Sequence, residues 1–410
     1  MKKTLLIILA TIMLTTMKAQ EMQFSDSAVI SLLTCSPGQE IYAKFGHSGI
    51  RINDPVTKND LVFNYGIFSF NTENFYYKFI KGETDYYLGV HPTDMFLFEY
   101  DERNSMVWEQ ILNLTPLEKR KIIDALIDNY RPENRIYRYN YVFDNCATRP
   151  RDKILNNVTG YVQLQNTTES KTFRQWVGGY VGHDTWLKFG IDMVFGMAAD
   201  KTTQQYESLF LPEVLMNEFE RAKIITKNNE NNRNLVKETR IIVNSDVTES
   251  QSSMLITKPF VVFSALLLLG ILLSLYEQRT KKYYTILDSI LLLGTGLAGI
   301  IVFYLMFISL HPLVKNNLNI LWLNPFNIVA AVLIWIKPLR VYMFVYQIFN
   351  IMLLVLSLIA LALSMQDFNA AVFPLIVLIF IRYSLWVVRI KHRIFRKAKF
   401  LNYRDWETNI

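Results

Sequence analysis

The sequence predicts an exported α+β domain joined to an all-α, five-helix transmembrane domain. Three observations lead there: a leader at the N-terminus, five long apolar runs confined to the part after Lys258, and basic residues gathered in alternate loops between those runs. The averages over 410 residues, a formal charge of +7 and 51% hydrophobic content, conceal this division.

The leader, MKKTLLIILATIMLTTMKAQ, has two lysines, an apolar run, then small and polar residues. That order reads as a secretory signal cleaved near Ala19 or Gln20, or as an uncleaved anchor; either would export the adjoining domain. Residues 22–225 read as the exported domain, 226–258 as a polar linker, 259–390 as the membrane domain and 391–410 as a basic cytoplasmic tail.

Within the exported domain, AVISLLTC runs into a turn at SPGQE, and FGHSGIRIN (45–53) and LVFNYG (61–66) read as short strands around the turn NDPVTKND. A helix is expected at 116–130. Thr115 caps it, Pro116 suits its first position, Glu118 completes a capping box, and Ile122, Ile123, Leu126 and Ile127 form its apolar face before Pro132 stops it. Residues 136–143, IYRYNYVF, alternate as a strand. Asp144-Asn145-Cys146 then leads into a helical stretch broken at Pro150, and 161–215 read as further helices with Gly-rich turns.

The apolar runs lie near 259–276, 285–309, 320–336, 341–364 and 369–388. Each is long enough, or nearly so, to cross roughly 30 Å of hydrocarbon at about 1.5 Å per residue. Arg279, Lys281 and Lys282 fall in one loop, Lys337 and Arg340 in another, and the tail RIKHRIFRKAKF is denser still, whereas HPLVKNNLN and MQDFNA hold only Lys315. Basic loops stay cytoplasmic, so the first, third and fifth runs point inward. The C-terminus is then cytoplasmic and the exported domain lies outside the inner membrane. Asp288 and Arg382, near the cytoplasmic ends of their spans, read as an ion pair or as snorkelling charges.

The two cysteines, Cys35 and Cys146, admit a disulfide, two buried thiols or a nucleophile. Cys146 follows a strand at a predicted helix start, where unpaired N–H groups and the helix dipole favour thiolate. A nucleophilic thiol needs a base and a group to orient that base. Of His47, His91 and His183, only His47 sits on a strand beside another strand with a polar residue, Asn64; it shares a face with Gly49 and Arg51. His91 reads as a turn residue and His183 as part of a Gly-rich loop. No CxxC, HExxH or paired-His spacing suggests a metal, and no Walker-type loop is present, so no cofactor is expected. The positive charge is cytoplasmic and membrane-flanking, which argues against nucleic acid.

The set TCSPGQEIYAKFGHSGIRI, NYGIF, FIKGETDYYLG, YNYVFDNCATRPRD and FLPEVL resembles the N-terminal periplasmic domain of the Lnb-type lipoprotein N-acyltransferases, and the spans with HPLVKNNLNILWLNPFN resemble its transmembrane region. The His-first, Asn-Cys-later order is also similar to permuted papain-like enzymes of the NlpC and lecithin:retinol acyltransferase kind. The resemblance implies a permuted papain-like domain in which Cys146 is nucleophile, His47 base and Asn64 orienting residue, with Cys35 a second thiol of unassigned role. It implies an inner-membrane enzyme moving an acyl chain from a phospholipid, through a Cys thioester, to the α-amino group of a diacylated lipoprotein.

Arg51, Arg149, His311, Asn316, Asn319 and Asn324 are candidate contacts to substrate. The asparagine-rich stretch His311–Asn327 is unusually polar for the mouth of a span and reads as an interfacial loop or a headgroup-binding rim. A membrane-anchored papain-like peptidase or amidase acting on cell-wall peptides is the competing expectation, with water as acceptor. Five spans argue against it, since one anchor serves a soluble substrate.

Overall fold

The structure, a computed structural model, describes residues 22–165, 170–226, 232–245 and 257–407, with side chains to Lys391; the predicted leader, 1–20, lies outside the described residues. The strands, in chain order, are β1 (Val29–Cys35), β2 (His47–Asp54), β3 (Asn59–Ile67), β4 (Asp85–Pro92), β5 (Val107–Leu112), β6 (Ile136–Arg138), β7 (Tyr161–Gln163), β8 (Lys223–Ile225), β9 (Arg233–Asn234) and β10 (Val236–Val243). Seven of them make the main antiparallel sheet, in the order β10-β5-β1-β2-β3-β4-β6, and β7, β8 and β9 make a second, smaller one.

Alternation on the strands divides the core in two. Ile30, Leu32, Ile50, Ile52, Phe63 and Leu88 face α3 (Pro116–Tyr130) and α4 (Thr148–Leu155), while Leu33, Cys35 and Val62 face Phe96 and Tyr100 of α2 (Thr93–Glu102). The remaining helices of this part are α1 (Phe75–Lys81), α5 (Phe173–Val181), α6 (Trp186–Val194), α7 (Gln205–Ser208) and α8 (Pro212–Arg221). At the head of α3, Glu118 N–H donates to Thr115 Oγ1 at 3.4 Å while Glu118 Oε2 accepts from Thr115 N–H at 2.8 Å.

Three local expectations change. The strand expected over 136–143 stops at Arg138, because Asn140 and Asp144 exchange backbone hydrogen bonds of 2.9 and 3.0 Å and the Asn140 side chain accepts from Val142 and Phe143 N–H. That side chain offers the backbone a turn in place of a ladder. The polar linker expected over 226–258 contains β9 and β10; β10 pairs along β5 and Leu235 is buried, so this stretch covers an edge that β5 would otherwise expose. His91 is no turn residue: it stands opposite Val62 in the β3–β4 ladder.

After residue 257 the chain is helical: α9 (Pro259–Thr280), α10 (Thr285–Phe307), α11 (Asn327–Leu333), α12 (Arg340–Ala362) and α13 (Val372–Glu407). Among the described residues four segments, Pro259–Thr280, Thr285–Phe307, Lys337–Ala362 and Val372–Lys391, are long and apolar enough to cross a membrane. The third expected span, 320–336, is not one helix. A 3-10 turn at Leu318–Leu321 leads into a bend, and only the seven residues of α11 come after it. Pro325 has no N–H to donate, and Asn324 Oδ1 accepts from Phe326 N–H at 3.1 Å, so side-chain bonds replace the helical ladder there.

The broken segment still runs the length of the bundle. Asn317 donates to the carbonyl of Met193 in the first domain at 2.9 Å, Asn327 to Thr295 midway along α10 at 2.9 Å, and the Ala331 carbonyl accepts from Ser289 near the start of α10 at 2.8 Å. Glycine makes this approach possible: a Cβ on Gly299 would lie 2.2 Å from the Leu323 carbonyl oxygen. Of the two readings of Asp288 and Arg382, the ion pair holds. Arg382 Nε lies 2.6 Å from Asp288, and Glu277, unforeseen, takes the other side of the guanidinium at 2.8 Å and also meets Arg389.

Candidate active site

His47 opens β2 and Asn64 lies on β3, whose ladder begins with the Gly49–Asn64 pair. The imidazole Nε2 donates to Asn64 Oδ1 at 2.6 Å, which leaves Nδ1 as the nitrogen available to a thiol. Cys146 stands immediately before the Ala147 cap of α4, across Gly66 from His47. Gly66 lies between them at φ +93°. A Cβ there would stand 3.4 Å from Cys146 Cβ and 3.6 Å from His47 Cε1, inside the space a reacting group must enter. The NYG sequence thus combines the orienting amide with a residue that lets the backbone turn away from the thiol.

The loop bearing Cys146 is held by Asn145. Its buried side chain accepts from Ala147 and Thr148 N–H at 2.8 and 2.9 Å and donates to the carbonyls of Tyr141 and Phe210 at 2.9 Å each. One amide therefore caps the helix and fastens it to the FLPEVL segment.

Burial pushes the Cys146 thiol up, but the His47 charge and hydrogen bond, with the N–H groups of Ser48 and of Cys146 itself, bring its pKa below the usual thiol value. Burial pushes His47 down, yet the Cys146 thiolate and the bonds to Cys146 and Asn64 leave its pKa raised. Each group thus favours the charged form of the other. The His47 ring stacks against Tyr100 at 6.2 Å and leans on Phe96 at 6.4 Å, which fixes its plane.

Both cysteines are free. Cys35 pairs with His47 across the β1–β2 ladder but is buried, and that burial raises its pKa well above the usual thiol value despite a hydrogen bond to Tyr100. The two thiols have opposite electrostatics within one site.

The expected substrate contacts are mostly engaged elsewhere. Arg51 pairs with Asp60 at 2.6 Å and Glu109 at 3.0 Å. Arg149 makes a two-point pair with Asp144 at 2.5 and 2.8 Å, with its guanidinium 3.6 Å above Tyr137. Asn319 donates to the Asp192 and Met193 carbonyls, and Asn324 donates to Asn350. His311 Nε2 lies 2.9 Å from the Phe79 carbonyl. Asn316 is exposed at φ 53°, with its backbone carbonyl accepting from Met197. The asparagine-rich stretch is therefore a joint between domains and between helices, not an open headgroup rim, because its buried amides have protein partners.

Sequence reasoning missed Asn145 and Ser48. The Asn-Cys-Ala-Thr order is legible as a helix cap; the donor role of a strand N–H carries no sequence signal.

Residues 16–179 match the family described as the Lnb N-terminal periplasmic domain, and residues 249–393 the Lnb transmembrane domain. No curated protein and no solved structure matches the chain. The chain belongs to the Lnb type, a membrane protein with a periplasmic N-terminal domain followed by a helical transmembrane region.

Proposed function

We propose that this protein is a thiol-dependent acyltransferase of lipoprotein maturation, with a permuted papain-like site in which Cys146 carries the acyl group. The observation that supports it most is the placing of Cys146 and His47 together at Gly66, with the imidazole held by Asn64. The thiolate attacks an ester carbonyl of a phospholipid. The developing oxyanion takes hydrogen bonds from the N–H groups of Ser48 and Cys146, the backbone donors that help to lower the Cys146 pKa. The C–O bond breaks, His47 gives its proton to the departing alcohol, and a thioester and a lysophospholipid result.

In the second half the neutral α-amine of a diacylglyceryl-cysteine attacks the thioester. The nitrogen–carbon bond forms, the carbon–sulfur bond breaks, His47 Nδ1 takes the amine proton, and the imidazolium–thiolate pair is restored. Asn64 holds Nε2–H throughout, so the same nitrogen serves both proton transfers. Cys35 has no base of its own and stays a thiol. In this reading the enzyme lies in the inner membrane with its C-terminus in the cytoplasm.

Mass spectrometry of lipoprotein N-termini, from cells lacking the protein and complemented with the native chain or with Cys146→Ala, tests this. N-acylation is expected to return with the native chain alone. N-termini that are the same in all three strains would overturn the proposal, and altered cell-wall peptides beside unchanged N-termini would assign the site to amide hydrolysis.

A further inference from the structure

Helix α1 and its surroundings expose a cluster of large apolar side chains. Of its seven residues only Phe75 is buried; Tyr76 is 70% exposed, and Tyr77, Phe79 and Ile80 also face outward. Ile41 and Tyr42, on the turn before His47, and Phe70 add to the same patch, and Tyr42 meets Phe70 edge-on at 6.4 Å.

The position of the patch decides what covers it. The carbonyl of Lys81 accepts from Leu310 N–H at 2.7 Å, and the Phe79 carbonyl meets His311. Helix α1 is thereby pinned to the end of α10, where Phe307, Ile308 and Leu310 are exposed and, in a bilayer, meet lipid. The outward face of α1 continues that lipid-facing surface at its rim. Its composition, two tyrosines, Phe79, Ile80 and two lysines on flexible stems, suits the boundary between headgroups and acyl chains.

An aromatic run leads inward from the patch. Phe79 stacks on Phe75 at 6.1 Å, Phe75 on Phe68 at 5.5 Å, Phe68 on Tyr86 at 4.9 Å and Tyr86 on Tyr139 at 4.1 Å. Phe68 is two residues beyond Gly66, which faces both His47 and Cys146.

We infer that α1, with Ile41, Tyr42 and Phe70, is seated among the acyl chains of the adjoining leaflet, and that the Phe79-to-Tyr139 wall is the apolar side along which a membrane lipid's chain reaches Cys146. The destination of the chain rests on Cys146 as acyl carrier; the seat rests on the contacts to α10 alone. The occupant is the phospholipid of the bilayer, since the patch adjoins the lipid-facing end of a spanning helix.

The full chain carrying p-benzoyl-phenylalanine at position 76 or 80, reconstituted in phosphatidylethanolamine–phosphatidylglycerol vesicles, tests the seat. Lipid photo-adducts are expected at about tenfold the yield found with the same group at position 161, the exposed tyrosine of the three-stranded sheet. Equal yields at all three positions would overturn it. For the route, the double variant Tyr76→Asp, Ile80→Asp is expected to lose about tenfold or more in N-acylation from bilayer donors, because two carboxylates oppose entry into the leaflet. An unchanged rate would overturn the route. Lipid adducts on a native chain that acylates nothing would sink the acyl-transfer reading and leave the seat standing. Acylation without adducts would do the reverse.

Discussion

Two regions of this molecule bury polar side chains, and they use them in opposite ways. At the thiol site, His47 and Cys146 face each other with Gly66 withdrawn, so part of their hydrogen-bonding capacity stays open to a third party. Among the spanning helices, Asn324 donates to Asn350, and Asn327 accepts from both Asn350 and the Tyr346 hydroxyl while donating to Thr295. There the amides hold helices together. Polarity in an apolar setting marks a functional site only where a partner is left unassigned.

The largest effect that would break this contrast comes from the thiols. Cys146→Ala should abolish acyl transfer, whereas Cys35→Ala should keep it within a few-fold, both read from lipoprotein N-termini. Loss with Cys35→Ala alone would reverse their roles.

Next in size is Arg382→Leu, which strands the buried carboxylate of Asp288 and leaves Glu277 with Arg389 alone. Removing one partner of a buried ion pair costs roughly 3–5 kcal/mol, so thermal unfolding in detergent should show a large loss of folded protein. A melting curve unchanged from the native chain would mean that water reaches the cluster.

Asn64→Ala frees the imidazole and should cut turnover about ten- to a hundredfold with little change in stability. Because the Asn64 bond raises the His47 pKa, its loss should also move the upper limb of the pH profile for Cys146 alkylation to lower pH. The lower limb should fall as pH drops through the Cys146 pKa, itself below the usual thiol value, since the thiolate is the reacting form. A lower limb centred at or above the value of an ordinary thiol would contradict the pair.

The smallest effect belongs to Asn324→Leu. It should cost roughly 0.5–2 kcal/mol of stability and leave the rate per folded molecule unchanged. A rate loss in fully folded protein would return the amide to the substrate site.

Legibility in the sequence tracks the range of the interactions. The helix after Thr115 is readable because its capping box is closed within four residues. His47, Asn64 and Cys146 stand out as types at strand ends and helix starts, but their meeting depends on β2 and β3 pairing in register and on Gly66 at positive φ. For the same reason the sequence leaves the polar stretch after His311 open between an interfacial loop and a rim. Its amides find carbonyls more than a hundred residues away, in Asp192 and Met193.

By itself the sequence determined the division into an exported α+β part and an apolar helical part, because hydropathy, charge placement and caps are local properties of the chain. Only the tertiary structure decided that β10 belongs to the sheet and that the third apolar run is broken against Gly299. It also decided which of two cysteines meets the imidazole at Gly66. Burial, ladder register and the electrostatic surroundings of a thiol arise from residues far apart in the chain, and no local pattern encodes them.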